Sequence, residues 1–339
     1  MAEFLLEYGL FLAKALTLVA AVAAVVALSV GMSRREAQPG SLTVEKLNDR
    51  FRHLRLQLGH ALLSRADRRR EQREEKKRQK AAAQDGGERR RVFVVDFKGD
   101  IRATAVAALR EEISAILGVA RPTDEVVLRL ENFGGAVHEH GLAASQLMRL
   151  RAKGIPLTAI VDKGAASGGY LMACVANHIV AAPFAVIGSI GVIAQLPNFH
   201  RALEARGVDF EQVTAGRYKR TVTMFGRTTD ADRAKLREEL EDVHALFKQV
   251  VATHRPGLDV EAVATGEHWY GTRALDLRLV DALETSDDYL HRVAETSDLY
   301  RVHYRARPTL QQRVLTAVRA GADEAAAWLA QRDRDGRLP

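Results

Sequence analysis

Thirty-seven consecutive residues, Gly164 to His200, contain no Asp, Glu, Lys or Arg, in a chain where those four make up 27%. A run of this kind is either inside a membrane or inside a core. Five glycines and two prolines interrupt it, and Asn177 and His178 stand in its middle. Its uninterrupted apolar runs are therefore too short to cross a bilayer, and a buried core around a site fits better.

The flanking sequence says what kind of core. After Arg91 the pattern alternates between short apolar runs and amphipathic stretches. Strands are expected at Val92–Phe97, Glu125–Leu130, Leu157–Val161 and His178–Ala181, with a fifth at Val208–Val213. Helices are expected at Thr104–Gly118, with Val106, Leu109, Ile113 and Ile116 on one face, and at His138–Lys153. Strands alternating with helices imply right-handed crossovers, hence an α/β fold with a mainly parallel sheet. Ligands in such sheets bind beyond the carboxyl ends of strands. Two glycine-rich segments, Gly134-Gly135 and Gly164 to Gly169, follow strands directly.

The N-terminus carries a different signal. Ala15 to Met32 is 18 residues without a charge, and extension past Lys14 to Tyr8 gives 24 uncharged residues. That suffices for a hydrocarbon core of ~30 Å at ~1.5 Å per residue. A transmembrane helix over residues 1–33 is expected. A cleaved signal peptide is the competing reading: Ala27-Leu28-Ser29 offers a small-residue site, but Glu3 and Glu7 stand where a basic n-region belongs. Arg34 and Arg35 follow at once, so the positive-inside rule sends the rest of the chain to the cytoplasm, with the periplasm as the other possibility.

Residues 34–91 hold 18 Lys/Arg and 9 Asp/Glu, a balance of +9, while the whole chain sums to +7. The remainder is therefore −2, and the basicity belongs to one segment. A nucleic-acid partner, which needs a basic face on the folded domain, is not expected. The segment reads as a basic helical linker beside the membrane, able to touch anionic headgroups of a lipid bilayer. Leu47, Phe51, Leu54, Leu58 and Ala61 form a seam of about two heptads within it. Such a seam lies on its own domain or joins copies of the chain. The one cysteine, Cys174, allows neither an internal disulfide nor a cysteine-based zinc site. The tail from Pro308 has helical spacing at Leu310, Val314, Leu315 and Val318.

Within the charge-free run, Gly164-Ala165-Ala166-Ser167-Gly168-Gly169-Tyr170 places a serine among small residues after a strand. Small neighbours admit a substrate backbone, and a helix N-terminus leaves N–H groups free for an oxyanion. The same residues also describe a tight turn with Ser167 as a helix N-cap. A nucleophilic serine needs a base. His138, His140 and His178 are the histidines near it in sequence, and Lys219 is the other candidate. A lysine serves only where burial or a neighbouring cation eases loss of its proton.

Three segments in order carry a resemblance. Ala165 to Tyr170, then Gly188-Ser189-Ile190-Gly191-Val192, then Gly216-Arg217-Tyr218-Lys219-Arg220-Thr221 resemble the Ser/Lys-dyad signal peptide peptidase A family, most closely its SohB-type inner-membrane branch. The resemblance runs to about residue 300 and includes Gly266 to Gly271. It implies a ClpP/crotonase-like fold of repeated β-β-α units over residues 92–300, with a C-terminal helix and frayed tail over 301–339. It implies Ser167 as nucleophile and Lys219 as general base, 52 residues apart, with Ser189 orienting the lysine. Gly135 and Gly168 would supply oxyanion-hole N–H groups. The implied protein is a membrane-anchored serine endopeptidase of extended peptides or unfolded proteins, homo-oligomeric and without metal or organic cofactor. The family writes Ser-Pro-Gly-Gly or Thr-Pro-Gly-Gly where this chain has Asn132-Phe133-Gly134-Gly135. The chain thus lacks the proline that pre-sets φ in that loop. A crotonase-like acyl-CoA enzyme and a proteolytically silent membrane scaffold are the other readings of the same fold.

Overall fold

Two clusters of buried side chains lie on opposite faces of one sheet, and strand β2 (Arg90–Lys98) shows how the sequence builds both. Phe93, Val95 and Phe97 enter the larger cluster, while Val92 and Val94 enter the smaller. A strand apolar on both faces is what a parallel sheet covered on both sides requires. The computed structural model describes residues 9, 14–17, 40–64, 66–70, 73–74, 77 and 89–306. Residues 42–304 form one compact unit; residues 1–41 with 305–339 form another, of which few residues are described.

In chain order the elements are β1 (Ser41–Lys46), α1 (Leu47–Leu62), β2, α2 (Val106–Val119), β3 (Glu125–Glu131), α3 (Val137–Ala152), β4 (Leu157–Val161), β5 (Gly164–Ala166), α4 (Gly168–Ala173), β6 (His178–Ala181) and β7 (Val186–Gly188). They continue with α5 (His200–Glu204), α6 (Asp230–His254), α7 (Val260–Val263), β8 (His268–Tyr270), α8 (Gly271–Asp276), β9 (Ala282–Leu283), α9 (Ser286–Ala294) and β10 (Ser297–Arg305). The main sheet has seven strands in the order β1-β10-β2-β3-β4-β6-β9. Its pairs from β10 through to β9 are parallel, with Val92 opposite Glu125, Val126 opposite Leu157 and Thr158 opposite His178.

A second sheet, β5-β7-β8, sits at the carboxyl ends of these strands. Strands β4 and β6 each lead through a turn into a short strand there, β5 and β7, and β3 leads to Asn132, which bridges Ala165. Helix α3 follows the step from β3, and helix α4 follows the step from β4 to β5. The β-β-α alternation is thus present in the fold, and it carries each chain segment from the main sheet to the rim where the glycine-rich turns lie. Helix α2 buries Val106, Leu109, Ile113 and Ile116, the face read from their spacing.

Three expectations change. The folded unit does not begin at Val92: β1 is the edge strand beside β10, and α1 docks by its first turn. Leu47 is buried, Phe51 stacks on His291 with ring centroids 4.2 Å apart, and Asn48 bonds Ala294 O, Ser297 O and Leu299 N–H. The seam read along this helix is split, because Leu54 and Leu58 stay exposed. At the other end the sheet runs past residue 300 to Arg305. Finally, Val208–Val213 forms no strand, and Val213 is 97% exposed. All six residues of the segment are exposed, so no core face covers its apolar side chains.

The expected membrane span and the expected C-terminal helix lie outside the described residues, apart from Gly9 and residues 14–17. Among the described residues no helix is long and apolar enough to cross a membrane.

Candidate active site

Ser167 stands in the turn between β5 and α4. Its N–H donates to Gly188 O at 2.8 Å, and its carbonyl accepts the Leu171 N–H at 3.0 Å, the first bond of the helix. The backbone between those bonds has φ 53° and ψ −121°, a region a residue with a Cβ rarely enters. Strain of this kind persists only where surrounding structure enforces it, and it clusters at functional turns. The N-cap reading fails on the same geometry, since the Ser167 side chain makes no capping hydrogen bond. The residue is half-buried, and its hydroxyl makes no hydrogen bond among the described residues.

The loop after Asn132 lies directly on this serine. Gly134 has φ 89°, and a Cβ there would come 2.7 Å from Ser167 Cβ and 2.9 Å from Gly168 N. Gly135, exposed, has φ 153° and packs on the Ile101 backbone too closely for any side chain. Gly134, Ser167 and Gly168 are therefore in contact, and Gly135 is next in the chain. Gly188, which holds the Ser167 N–H, is followed by Ser189, half-buried with φ 51° and its N–H bonded to Glu267 O at 2.6 Å. Glu267 leads into β8, so the sequence segment Gly266 to Gly271 serves as the outer rail of the second sheet.

Lys219 is not brought to the serine in the same way. It is exposed, in a stretch without helix or strand, and its backbone N–H closes a turn on Gly216 O at 3.1 Å. No hydrogen bond joins it to Ser167 or Ser189 among the described residues. The neighbouring Tyr218 ring takes Arg217 and Lys235 as cation partners, each at 5.1 Å.

The histidines are committed elsewhere. His178, at the start of β6, lies 3.6 Å from Asp281, and His138 lies 3.7 Å from Glu139. His140 is fully buried with an oxygen beside each ring nitrogen. The Cys174 thiol is buried, which pushes its pKa up to about 12 and removes it as a nucleophile near neutral pH. Among the described residues no cluster of three or more His, Cys, Asp or Glu is placed to hold a metal ion. One cavity of about 770 Å³ lies between α5 and α6, lined by residues such as Leu196, Arg201, Arg227 and Arg237, and Ser167 is not part of it.

Sequence reasoning missed Asn132 as a site residue. Its 0% exposure and its bonds to both the loop and α3 set it under the serine. The sequence signal was the departure from Ser-Pro in the glycine loop, read there only as a loss of stiffness.

Comparison with known proteins concerns the chain as a whole. Residues 3–147 match the model of peptidase family S49 N-terminal, and residues 149–300 match that of peptidase family S49. A probable protease SohB of Haemophilus influenzae is 47% identical over 321 residues, covering 91% of this chain and 91% of that protein. A probable protease SohB of Buchnera aphidicola subsp. Acyrthosiphon pisum is 48% identical over 317 residues, 93% of this chain and 94% of its own. Among solved structures, a membrane-bound stomatin-specific protease superposes with TM-score 0.42 at 13% identity, covering 61% of this chain and 86% of its own.

Proposed function

Because the chain belongs to peptidase family S49 and is a serine-type peptidase, we propose that Ser167 is its nucleophile and Lys219 its general base. The observation that carries the reading is the Ser167 turn: a strained serine whose side chain makes no capping hydrogen bond, pressed between a glycine loop and a helix N-terminus. Neutral Lys219 takes the Ser167 proton as Oγ attacks the peptide carbonyl. The N–H groups of Gly135 and Gly168 donate to the tetrahedral oxyanion, each such donor being worth about 3–4 kcal/mol. The lysine returns the proton to the leaving amine, and water deacylates the enzyme by the same path. Ser189 orients the lysine amine. The charge-free walls from Gly164 to His200 suit extended peptides with small or apolar side chains.

A lysine works as a base where its ammonium is poorly solvated. Lys219 is exposed in the single chain, and many apolar side chains around it are exposed too, among them Phe199, Phe210, Tyr218 and Phe225. Assembly into a homo-oligomer is proposed to cover this stretch. Residues 1–33 are proposed as a membrane anchor, with the catalytic unit on the cytoplasmic face of the inner membrane, as Arg34 and Arg35 favour. Membership of a peptidase family leaves the acyl-CoA reading without support.

The test is covalent. A fluorophosphonate probe should label the full chain at Ser167, and Ser167→Ala should lose both labelling and peptide cleavage while keeping its melting temperature. A chain that never labels and never cleaves is a silent scaffold. Labelling that survives Ser167→Ala would move the nucleophile elsewhere.

A further inference from the structure

We infer that Asn132 and His140 act together as positioning residues for the oxyanion hole, clasping the loop that carries Gly134 and Gly135 and fixing it against Gly168. The inference rests on the assignment of Ser167, Gly135 and Gly168 proposed above.

The loop runs from Asn132 to Ala136, between the end of β3 and the start of α3. Asn132 is anchored by its backbone: its N–H donates to Gly164 O at 2.8 Å and its carbonyl accepts the Ala166 N–H at 3.0 Å. Its side chain then reaches forward. Oδ1 accepts the Gly134 N–H at 2.9 Å, while Nδ2 donates to Met172 Sδ at 3.3 Å. An asparagine bonded to the backbone two residues on imitates a backbone turn and holds it.

His140, one turn into α3, closes the clasp. Its Nδ1 lies 2.9 Å from Ala136 O and its Nε2 lies 3.2 Å from Asn132 Oδ1. One imidazole therefore touches both ends of the loop. Which ring nitrogen carries the hydrogen is set by the tautomer, and either tautomer donates to one of these two oxygens. Reversing the Asn132 amide would give Nε2 a donor but would set an NH2 group against the Gly134 N–H. The same side chain packs against Gly168, where a Cβ would come 2.5 Å from His140 Cγ. The two proposed oxyanion donors thus share one buried support, and both members of the pair have 0% exposure.

This supplies what the missing proline would have supplied. Proline restrains the loop through φ; Asn132 and His140 restrain it through side-chain hydrogen bonds across its ends. The two devices are compatible here. Asn132 is extended in a parallel bridge, the conformation a residue before proline adopts, and the Phe133 N–H makes no hydrogen bond among the described residues.

The experiment uses the full chain, a peptide substrate and a peptide aldehyde, whose hemiacetal on Ser167 places an oxygen in the hole. Asn132→Ala should lower kcat by about 10- to 100-fold and weaken the aldehyde by a similar factor, with KM changed by less than about twofold. Adding Phe133→Pro to Asn132→Ala should restore most of the loss, which no general loss of packing would allow. His140→Gln, which keeps an N–H donor, should fall between wild type and Asn132→Ala. If Asn132→Ala keeps wild-type kcat and aldehyde affinity, or if the double variant stays at the level of the single one, the clasp is wrong. Ser167→Ala in the same assay separates the layers: if it still cleaves, the active-site reading fails first; if it is dead while Asn132→Ala is normal, only the clasp fails.

Discussion

Two glycines allow backbone strain to be separated from crowding at the serine. Gly134 has φ 89° and Gly154, in the turn after α3, has φ 70°. Alanine at either must enter a left-handed conformation, at about 1–2 kcal/mol. For a folded unit of this size that lowers the melting temperature by roughly 2–8 °C in both variants. Only one of them meets anything. A Cβ at Gly154 has no atom within 4 Å, whereas one at Gly134 lies 2.7 Å from Ser167 Cβ. Carbon atoms settle near ~3.5 Å, so the loop and the serine must part by about 0.8 Å. Misplacement of a reacting group by about 1 Å can cost ~100-fold in rate, equivalent to roughly 2.7 kcal/mol of barrier. Gly134→Ala should therefore lose about two orders of magnitude in kcat/KM and Gly154→Ala none, with crowding adding to the backbone loss of stability only at Gly134. The assay is steady-state cleavage of a fluorogenic peptide beside a thermal melt of each variant. Equal activity in the two variants would refute the claim that the loop presses on the nucleophile.

Further outcomes follow from other parts of the unit. Glu112 is buried in α2 and accepts the Tyr304 N–H at 2.8 Å; burial, opposed by that bond and aided by Asp96, raises its pKa from 4.5 to about 7. A raised carboxyl contributes its stability in full below pH 4.5 and loses it as pH rises through about 7, a difference of roughly 3 kcal/mol. Glu112→Gln cannot titrate and keeps an acceptor, so its gain in melting temperature over wild type should be absent at pH 4.5 and grow towards pH 8; a gain independent of pH would disprove the assignment. Lys219→Ala and Lys219→Arg should both abolish cleavage, because a guanidinium stays protonated, and wild-type turnover in Lys219→Ala would remove the lysine as base. Ser189→Ala should slow the reaction less than either. Reporter fusions at Pro339 test the membrane side: a fluorescent cytoplasmic reporter supports the orientation proposed, and high alkaline phosphatase activity reverses it.

The parts of the fold that were legible in the sequence are those whose own side chains are buried. Strand β4 reads from Leu157-Thr158-Ala159-Ile160-Val161 because all five residues are buried and Pro156 and Asp162 bound them. Strand β6 reads for the same reason over Ile179 to Ala181, His178 being exposed. Strand β1 does not read, since five of its six residues are exposed and only pairing with β10 makes it a strand. Val208–Val213 fails in the opposite direction. Its β-prone composition is real, but a strand here needs a face packed on the core, and all six residues are exposed. The heptad seam of α1 shows that spacing identifies a face without saying what covers it: Leu47 and Phe51 meet the sheet, and Leu54 and Leu58 do not.

At the site, legibility follows the range over which a residue acts. Ser167 and its small neighbours form one continuous segment, so the turn could be read locally. Asn132 and His140 act on each other eight residues apart across a loop whose path the sequence does not give. Proximity in sequence singled out His140 as a possible base, but proximity was not the deciding property. A base needs a lone pair facing the nucleophile, and both nitrogens of His140 face other oxygens. Lys219 presents the opposite case. Its amine has no hydrogen bond to Ser167 or Ser189 and stands exposed, and nothing among the described residues commits it to another task. A buried polar residue whose hydrogen-bonding atoms are all engaged can shape a site but cannot exchange protons with it. That criterion removes the histidine as a base and leaves Lys219 as the base proposed.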